Sequence, residues 1–473
     1  MARTLHRSLA ALCALCALVA TAGAQEAVRR VPESHEQVTL SFAPLVKQAA
    51  PAVVNVFTTK TVREQRPVSP LLDDPFFRHF FGDQFGRERR RKENSLGSGV
   101  IVRPDGLVVT NHHVIEGADR IKVVLTDRRE FEATIVKDDE GTDLAVLKIE
   151  PPAGEELPFL ELGDSDQLEV GDLVLAIGNP FGVGQTVTSG IVSALARTSV
   201  GITDYNFFVQ TDAAINPGNS GGALLQMDGR LAGVNTAIFS RSGGSQGIGF
   251  AVPANMVRTV VDSVARDGRI RRPWLGARGQ TVTAEIADAL GLSRPAGVLI
   301  STIYPDGPAD RAGLRSGDVV VALDDRPVFD EGALRFRHAT GLLGRDATVT
   351  VLRNGEEITL TITREVAPEV PPRDETRLTG RHPLAGATVV NLSPAVSDEL
   401  GLELSLSGVL VTEVNRRSVA SRIGLRPMDI VLSVNGERVD AVAGLRELLA
   451  ARASQWRISI RRGDRVLSVS VSG

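Results

Sequence analysis

The string Gly218-Asn219-Ser220-Gly221-Gly222 sets one hydroxyl among glycines. A serine that attacks a carbonyl needs a tight turn that exposes its side chain and points backbone N–H groups at the oxygen that becomes negative, and flanking glycines permit that turn. The amides of Gly218 and Ser220 are the expected oxyanion donors. Alone, such a string also reads as an ordinary glycine-rich turn, so its meaning depends on the other groups in the chain. A serine hydroxyl becomes a useful nucleophile when a neutral imidazole takes its proton and a buried carboxylate orients that imidazole and stabilises its cation. Two upstream segments carry these groups: Thr110-Asn111-His112-His113-Val114 and Thr142-Asp143-Leu144-Ala145-Val146-Leu147. Histidine, aspartate and serine in that order point to acyl transfer on Ser220, although Asp143 also reads as a plain strand-edge acid. No metal or nucleotide motif stands out and no cofactor is expected. Asp164 and Asp166 in LGDSDQ lack the remaining ligands of a calcium loop and read as a turn.

Such a constellation needs a rigid frame, and the sequence around it is rich in short strands. Val53 to Thr59 reads as a strand, GVIVRPDGLVVTN as a hairpin turning at Pro104-Asp105-Gly106, and IKVVLTD, FEATIVKDD, DLVLAIGNPFG and TVTSGIVSAL as further strands. Many short strands joined by glycine-rich turns predict a mainly β barrel or sandwich. One amphipathic helix follows Pro253, with Met256, Val257, Val260, Val261 and Val264 on one face and Gly268 at its end. Residues 61 to 94 interrupt the strands with Pro67, Pro70, Pro75 and the basic run Arg87 to Lys92, which reads as a long loop.

Beyond the helix the chain repeats itself. Residues 297–328 align without gaps to 408–439, with 11 of 32 positions identical. Each copy has an apolar strand, an Ala-x-x-x-Gly-Leu helix start and an acid before a Val/Ile strand: Ala309 to Leu314 with Asp318, and Ala420 to Leu425 with Asp429. The proline- and charge-rich stretch 366–383 between them predicts an extended linker. At ~150 residues per domain the 473 residues also imply about three domains.

Taken together, TN-x-HV, TDLAVLKI and GNSGGAL resemble the HtrA family of serine proteases of the DegP/DegQ type, and the resemblance runs along essentially the whole chain after its first residues. It implies a chymotrypsin-like double β-barrel protease over 25–268 with a regulatory insertion at 61–94, then α+β PDZ domains at 269–365 and 384–473. His113, the fourth residue of its motif, is implied as the catalytic base in place of His112, with Asp143 and Ser220 as its partners. Ile215 is implied to line a pocket for small aliphatic side chains, with Asn235, Thr236, Ala237 and Ile238 on a second wall; plain core packing is the other reading of Ile215. The repeats resemble bacterial PDZ modules, which add an extended peptide as a strand and hold its carboxylate in backbone N–H groups. Trp274-Leu275-Gly276-Ala277 is the implied carboxylate loop of the first copy and Leu384-Ala385-Gly386-Ala387 that of the second. Pro427-Met428 replaces Ser316-Gly317 in the second copy, which leaves open peptide binding or an assembly role. Phe76, Phe77, Phe80, Phe81 and Phe85 fall in the insertion, as a local mini-core or as the family's regulatory loop. Phe42 matches a trimer contact and Arg197 an activation sensor, or a solvated arginine. The implied function is ATP-independent cleavage of unfolded or damaged exported proteins, with hydrophobic C-terminal peptides as ligands and a homotrimer or an assembly of trimers. The alternative is a chaperone or peptide-binding adaptor with a latent protease core.

Composition limits the partners. With 53 basic against 57 acidic residues, no charge surplus exists to drive nucleic-acid binding. Arg3 and Arg7, the apolar run Leu9 to Ala20 and Ala22-Gly23-Ala24 have the layout of a cleavable export signal over residues 1–24, too short for a membrane anchor. Both cysteines, Cys13 and Cys16, lie within it, so the mature chain is expected to carry no thiol and to reside in the periplasm.

Overall fold

The computed structural model describes residues 41–62, 91–179, 184–197, 207–216, 218–238, 245–266, 270–403, 406–451 and 453–472. The expected export signal and Phe76, Phe77, Phe80, Phe81 and Phe85 lie outside the described residues, as do the side chains of Arg197, Ala237 and Ile238. The chain divides into the units Met1–Lys47 and Gln48–Gly473. In the first, Phe42 is 38% exposed and its carbonyl accepts the Val46 N–H at 3.0 Å.

In the second unit, strands β1 (Val53–Val62), β2 (Arg91–Arg103), β3 (Leu107–Thr110), β4 (Arg120–Val124), β5 (Glu130–Asp139) and β6 (Leu144–Ile149) close an antiparallel barrel in the order β1-β2-β3-β6-β5-β4. The sequence pattern explains the burial. In β4, Ile121 and Val123 point inward and Arg120 and Lys122 outward, the period of two that a one-sided strand demands, whereas the apolar run of β6 is buried almost throughout. The β2–β3 hairpin turns where the Pro-Asp-Gly signal lies. Gly106 has φ +91°, and a Cβ there would meet the Ile149 carbonyl oxygen at 2.3 Å.

A second barrel holds β7 (Leu173–Gly178), β8 (Thr186–Arg197), β9 (Phe208–Thr211), β10 (Ala223–Gln226), β11 (Leu231–Ile238) and β12 (Gly249–Pro253), ordered β10-β11-β12-β9-β8-β7. The helix Ala254–Arg266 follows at once and buries Met256, Val257, Val260 and Val261.

Two further sheets contain the repeats. The first runs β13 (Ala277–Thr281), β14 (Val298–Ile303), β15 (Val319–Leu323), then β17 (Asp346–Arg353) and β18 (Glu356–Thr363), with the short β16 (Arg326–Pro327) beside β15. The second runs β19 (Thr376–Arg377), β20 (Ala387–Asn391), β21 (Val409–Val414), β22 (Ile430–Val434), then β24 (Gln455–Arg462) and β25 (Arg465–Ser472), with β23 (Glu437–Arg438) beside β22. Part of the expected linker is thus built into the second sheet: β19 pairs with β20, and Leu378 is buried in that module's core. The repeated acid has the same task in both copies. Asp318 accepts Arg353 Nε and Nη2 at 2.7 Å each, and Asp429 accepts Arg462 Nε and Nη2 at 2.7 Å each. Both carboxylates also cap the turn before their strand, through the amides of Arg315 and Arg426. The copies differ one residue earlier, where Met428 adopts φ +71° at the position Gly317 fills in the first.

The first module docks on the second barrel. Phe207 stacks on Phe336 of the helix Glu331–Ala339, with centroids 3.9 Å apart, and Arg326 and Arg337 face Asp166 at 3.5 and 3.8 Å. The same helix also carries a buried imidazole. Burial, reinforced by the Arg364 charge, lowers His338 from 6.5 to about 4, against the backbone of Trp274 and the charge of Asp324. The unfolded chain therefore binds a proton between these values that the folded module refuses. Stability is full above pH 6.5 and is lost as pH falls towards 4. We expect up to about 3 kcal/mol of loss over that window. Denaturant unfolding followed at Trp274, in a Trp456→Phe background that removes the only other tryptophan, should show this slope, and His338→Leu should flatten it.

Candidate active site

His113 and Asp143 of the first barrel meet Thr236 of the second, whose carbonyl in turn accepts the Ser220 hydroxyl, where the two barrels face each other. The short helix His112–Ile115 directly follows β3 and carries His113. Asp143 sits between β5 and β6 in the left-handed conformation, φ +55°, which turns its carboxylate under the imidazole. His113 Nδ1 lies 2.9 and 2.8 Å from the two Asp143 carboxylate oxygens, and the His113 amide donates to Oδ1 at 3.1 Å. Thr236, on β11 of the other barrel, donates its hydroxyl to Asp143 Oδ2. Asp143 is 6% exposed. Burial pushes its carboxyl up, but the charge and hydrogen bonds of His113 and the bond from Thr236 outweigh this and hold it below the usual carboxylate value. His112 faces another way, with Nδ1 2.6 Å from Asp138, and that hydrogen bond raises its pKa against the opposing effect of burial.

Ser220 is presented by a loop that the first barrel braces. The Ser98 amide donates to the Ser220 carbonyl at 2.8 Å and the Ser98 hydroxyl to the Gly218 carbonyl at 2.6 Å, while Thr110 Oγ1 donates to the Ser98 carbonyl at 2.7 Å. Gly221, at φ +82°, passes so close that a Cβ would lie 2.0 Å from the Ser98 oxygen. Asn235 closes the other side: its carbonyl accepts Gly221 N, its amide donates to the Gly222 carbonyl, and its Nδ2 donates to Ala223 O at 3.0 Å. The Ser220 hydroxyl donates to the Thr236 carbonyl at 3.2 Å. Among the described residues the Gly218 and Ser220 amides have no hydrogen-bond acceptor, so both can serve an oxyanion. Ile215 is 1% exposed and packs in the second barrel's core beside Gly249. Ser98 was not legible as a site residue, because it lies in no motif, and Thr236, implied as a pocket-wall residue, also turns its hydroxyl to Asp143; only the pairing of barrels brings these contacts about.

The two implied carboxylate loops differ. In the first module Gly276 has φ +71°, and a Cβ there would press on Pro308 and Trp274; the Leu275 and Gly276 carbonyls accept Ala309 N and Tyr304 N, while the Leu275 and Gly276 amides have no partner among the described residues. β13 is an edge strand, so its outer side can pair with a peptide. In the second module the Ala385, Gly386 and Ala387 amides donate to His382, Leu378 and Leu384 carbonyls, and β19 covers the edge of β20. That loop is already satisfied from within. Asp164 and Asp166 form the expected turn, the Asp164 side chain accepting Asp166 N at 3.0 Å, but Asp166 also faces the first module's arginines. Among the described residues no cluster of His, Cys, Asp and Glu could hold a metal.

Two barrels with a serine, imidazole and carboxylate at their seam, followed by two repeated α+β modules, define a serine endopeptidase with PDZ domains. Residues 97–234 match the trypsin-like peptidase domain family, and residues 273–363 and 410–462 match PDZ domain families. A probable periplasmic serine endoprotease DegP-like of Marinomonas sp. (strain MWYL1) is 40% identical over 455 residues, 91% of this chain and 93% of that one. The periplasmic pH-dependent serine endoprotease DegQ of Escherichia coli (strain K12) is 38% identical over 425 residues, 90% of each. Among solved structures, the HtrA-type protease AlgW with decapeptide is 48% identical and covers 70% of this chain and 99% of its own, with a TM-score of 0.50. The chain belongs to the HtrA family of DegP-type serine endoproteases.

Ser98→Ala removes the hydroxyl that holds the Gly218 carbonyl and accepts the Asn179 amide at 2.9 Å. We expect Ser220 to react about 10- to 100-fold more slowly with a fluorophosphonate probe, with KM for peptide little changed. An unchanged rate would show that the loop holds its shape without this brace.

Proposed function

We propose that the chain cleaves unfolded or damaged exported proteins through an acyl-enzyme on Ser220. The observation that carries this reading is the bonded arrangement of His113, Asp143, Thr236 and Ser220 across the barrel seam. Ser220 Oγ attacks the peptide carbonyl carbon and its proton passes to His113 Nε2. The carbonyl oxygen takes the negative charge and lies against the Gly218 and Ser220 amides. Collapse breaks the C–N bond, and His113 returns the proton to the leaving amine; water then repeats the sequence to release the acid and free Ser220. Asp143 stays ionised throughout and supports the imidazolium.

Substrate choice follows from the surroundings. Ile215, packed in the barrel core beneath Gly249, sets the depth available to a small aliphatic side chain, with β11 from Asn235 to Ile238, including Thr236 and Ala237, as the second wall. The first PDZ domain captures hydrophobic C-terminal segments at Trp274, Leu275, Gly276 and Ala277, a role that the free Leu275 and Gly276 amides support. The second, with its loop satisfied internally, acts in assembly. The protein works in the periplasm, as its relatives' names suggest, and assembles as a homotrimer or larger set of trimers through a contact that includes Phe42. Phe76, Phe77 and Phe80 of the insertion and Arg197 at the end of β8 regulate access to the site.

Ser220→Ala should lower kcat on a reduced, unfolded protein by ~10⁴-fold or more. If the parent and Ser220→Ala forms degrade it equally poorly while both suppress aggregation, the proteolytic reading fails and the chaperone reading takes its place. Gly276→Trp, which crowds Pro308 and Trp274, should abolish binding of peptides with an apolar carboxyl terminus; an unchanged titration would place the nest elsewhere.

A further inference from the structure

The groove of the first PDZ domain, between β13 and the helix Glu331–Ala339, is lined in part by a carboxylate from the second PDZ domain. Asp398, on the helix Pro394–Glu399 of the second PDZ domain, lines one cavity with Trp274, Leu275, Arg278, Leu334 and Arg335. Beside it Arg278, on β13, donates Nη2 to the Leu402 carbonyl, so the second domain is fastened at the groove's mouth. The carboxyl is a constrained guest. Burial raises its pKa, and the charges of Arg335, Arg278 and Arg272 offset this in part, while Glu399 adds to it.

We propose that Arg278 and Arg335 form an acidic subsite in the first PDZ groove, that Asp398 fills it in cis, and that the preferred ligands are C-terminal segments with an aspartate or glutamate just upstream of an apolar terminus. This rests on the reading that the groove binds C-terminal peptides. A strand added to β13 advances about 3.3 Å per residue from the nest, so Arg278, next to Ala277, meets a side chain within a few residues of the terminus. Guanidinium groups pair with carboxylates more strongly than any neutral partner does, which gives the subsite its sign. Asp398 is tethered and therefore present at high effective concentration, yet its burial cost makes it displaceable by a carboxylate that reaches the arginines from the groove's open side. Apparent peptide affinity is then reduced by the fraction of molecules in which Asp398 holds the subsite.

The test is a fluorescence-anisotropy titration of the full-length Ser220→Ala chain with labelled peptides ending in valine, in which one glutamate is walked through the preceding positions. Each glutamate peptide has a glutamine counterpart. We expect about a 10-fold preference for glutamate over glutamine at one or two positions, weakening with salt. Arg335→Gln should remove that preference, so that each glutamate peptide and its glutamine counterpart bind alike. Asp398→Ala, and the isosteric Asp398→Asn, should tighten binding of every valine-ended peptide by about 3- to 10-fold. If valine-ended peptides bind but glutamate and glutamine forms do not differ, or the Asp398 variants bind no more tightly, the acidic subsite with its internal occupant is overturned while peptide capture stands. If the Asp398 variants change the size of the assembly and leave peptide affinity untouched, the helix serves a contact between copies and occupancy in cis is overturned. If no valine-ended peptide binds to any form, the capture reading itself fails.

Discussion

A carboxylate taken almost wholly out of water costs several kcal/mol unless donors converge on it. Asp143 meets that demand with donors from both barrels: the amide and ring of His113 from the first and the hydroxyl of Thr236 from the second. The arrangement holds only while the barrels keep their relative position, and the same seam holds the nucleophile loop through Ser98 and Asn235. The left-handed conformation of Asp143 is part of this constraint, since a relaxed backbone would swing the carboxylate away from His113. The segment before it is anchored too. Thr142 donates to Asp139 Oδ2 at 2.5 Å, and Asp139 pairs with Arg272, just ahead of the first PDZ sheet.

That anchoring extends to the first PDZ domain. Arg272 bridges the Asp143 turn and the approach to the PDZ groove, while the Phe207–Phe336 stack and the Asp166 pairings fix the groove helix to the second barrel. Hydrogen-bond economy separates the two PDZ copies more than sequence identity does. Among the described residues the first has unpartnered amides at its turn and β13 as an outermost strand, and the second has spent both on itself.

Much of this was legible in the residues. The period of two in β4, the apolar run of β6 and the Pro-Asp-Gly turn are local consequences of side-chain size and backbone freedom, and each formed where the sequence placed it. The repeated acids read only as conserved pattern between copies, yet both became buried arginine partners. The stretch 366–383 read as a linker because proline and charge dominate it; pairing of Thr376–Arg377 with β20 depends on a strand that its own composition does not announce. Asp166 read as a turn residue, and the turn is there, but its ion-pairing role depends on arginines about 160 positions away.

By itself the sequence determined which chemistry the chain could carry and how many modules it would fold into, because motif spacing, periodicity and internal repetition are properties of neighbouring residues. Only the tertiary structure decided which serine oxygen braces the Ser220 loop, which threonine supports the buried acid, and which PDZ loop spends its amides on its own carbonyls. Those outcomes are set by close approach between segments far apart in the chain, where a buried amide or carboxylate must find a partner, and no local pattern records which partner it finds.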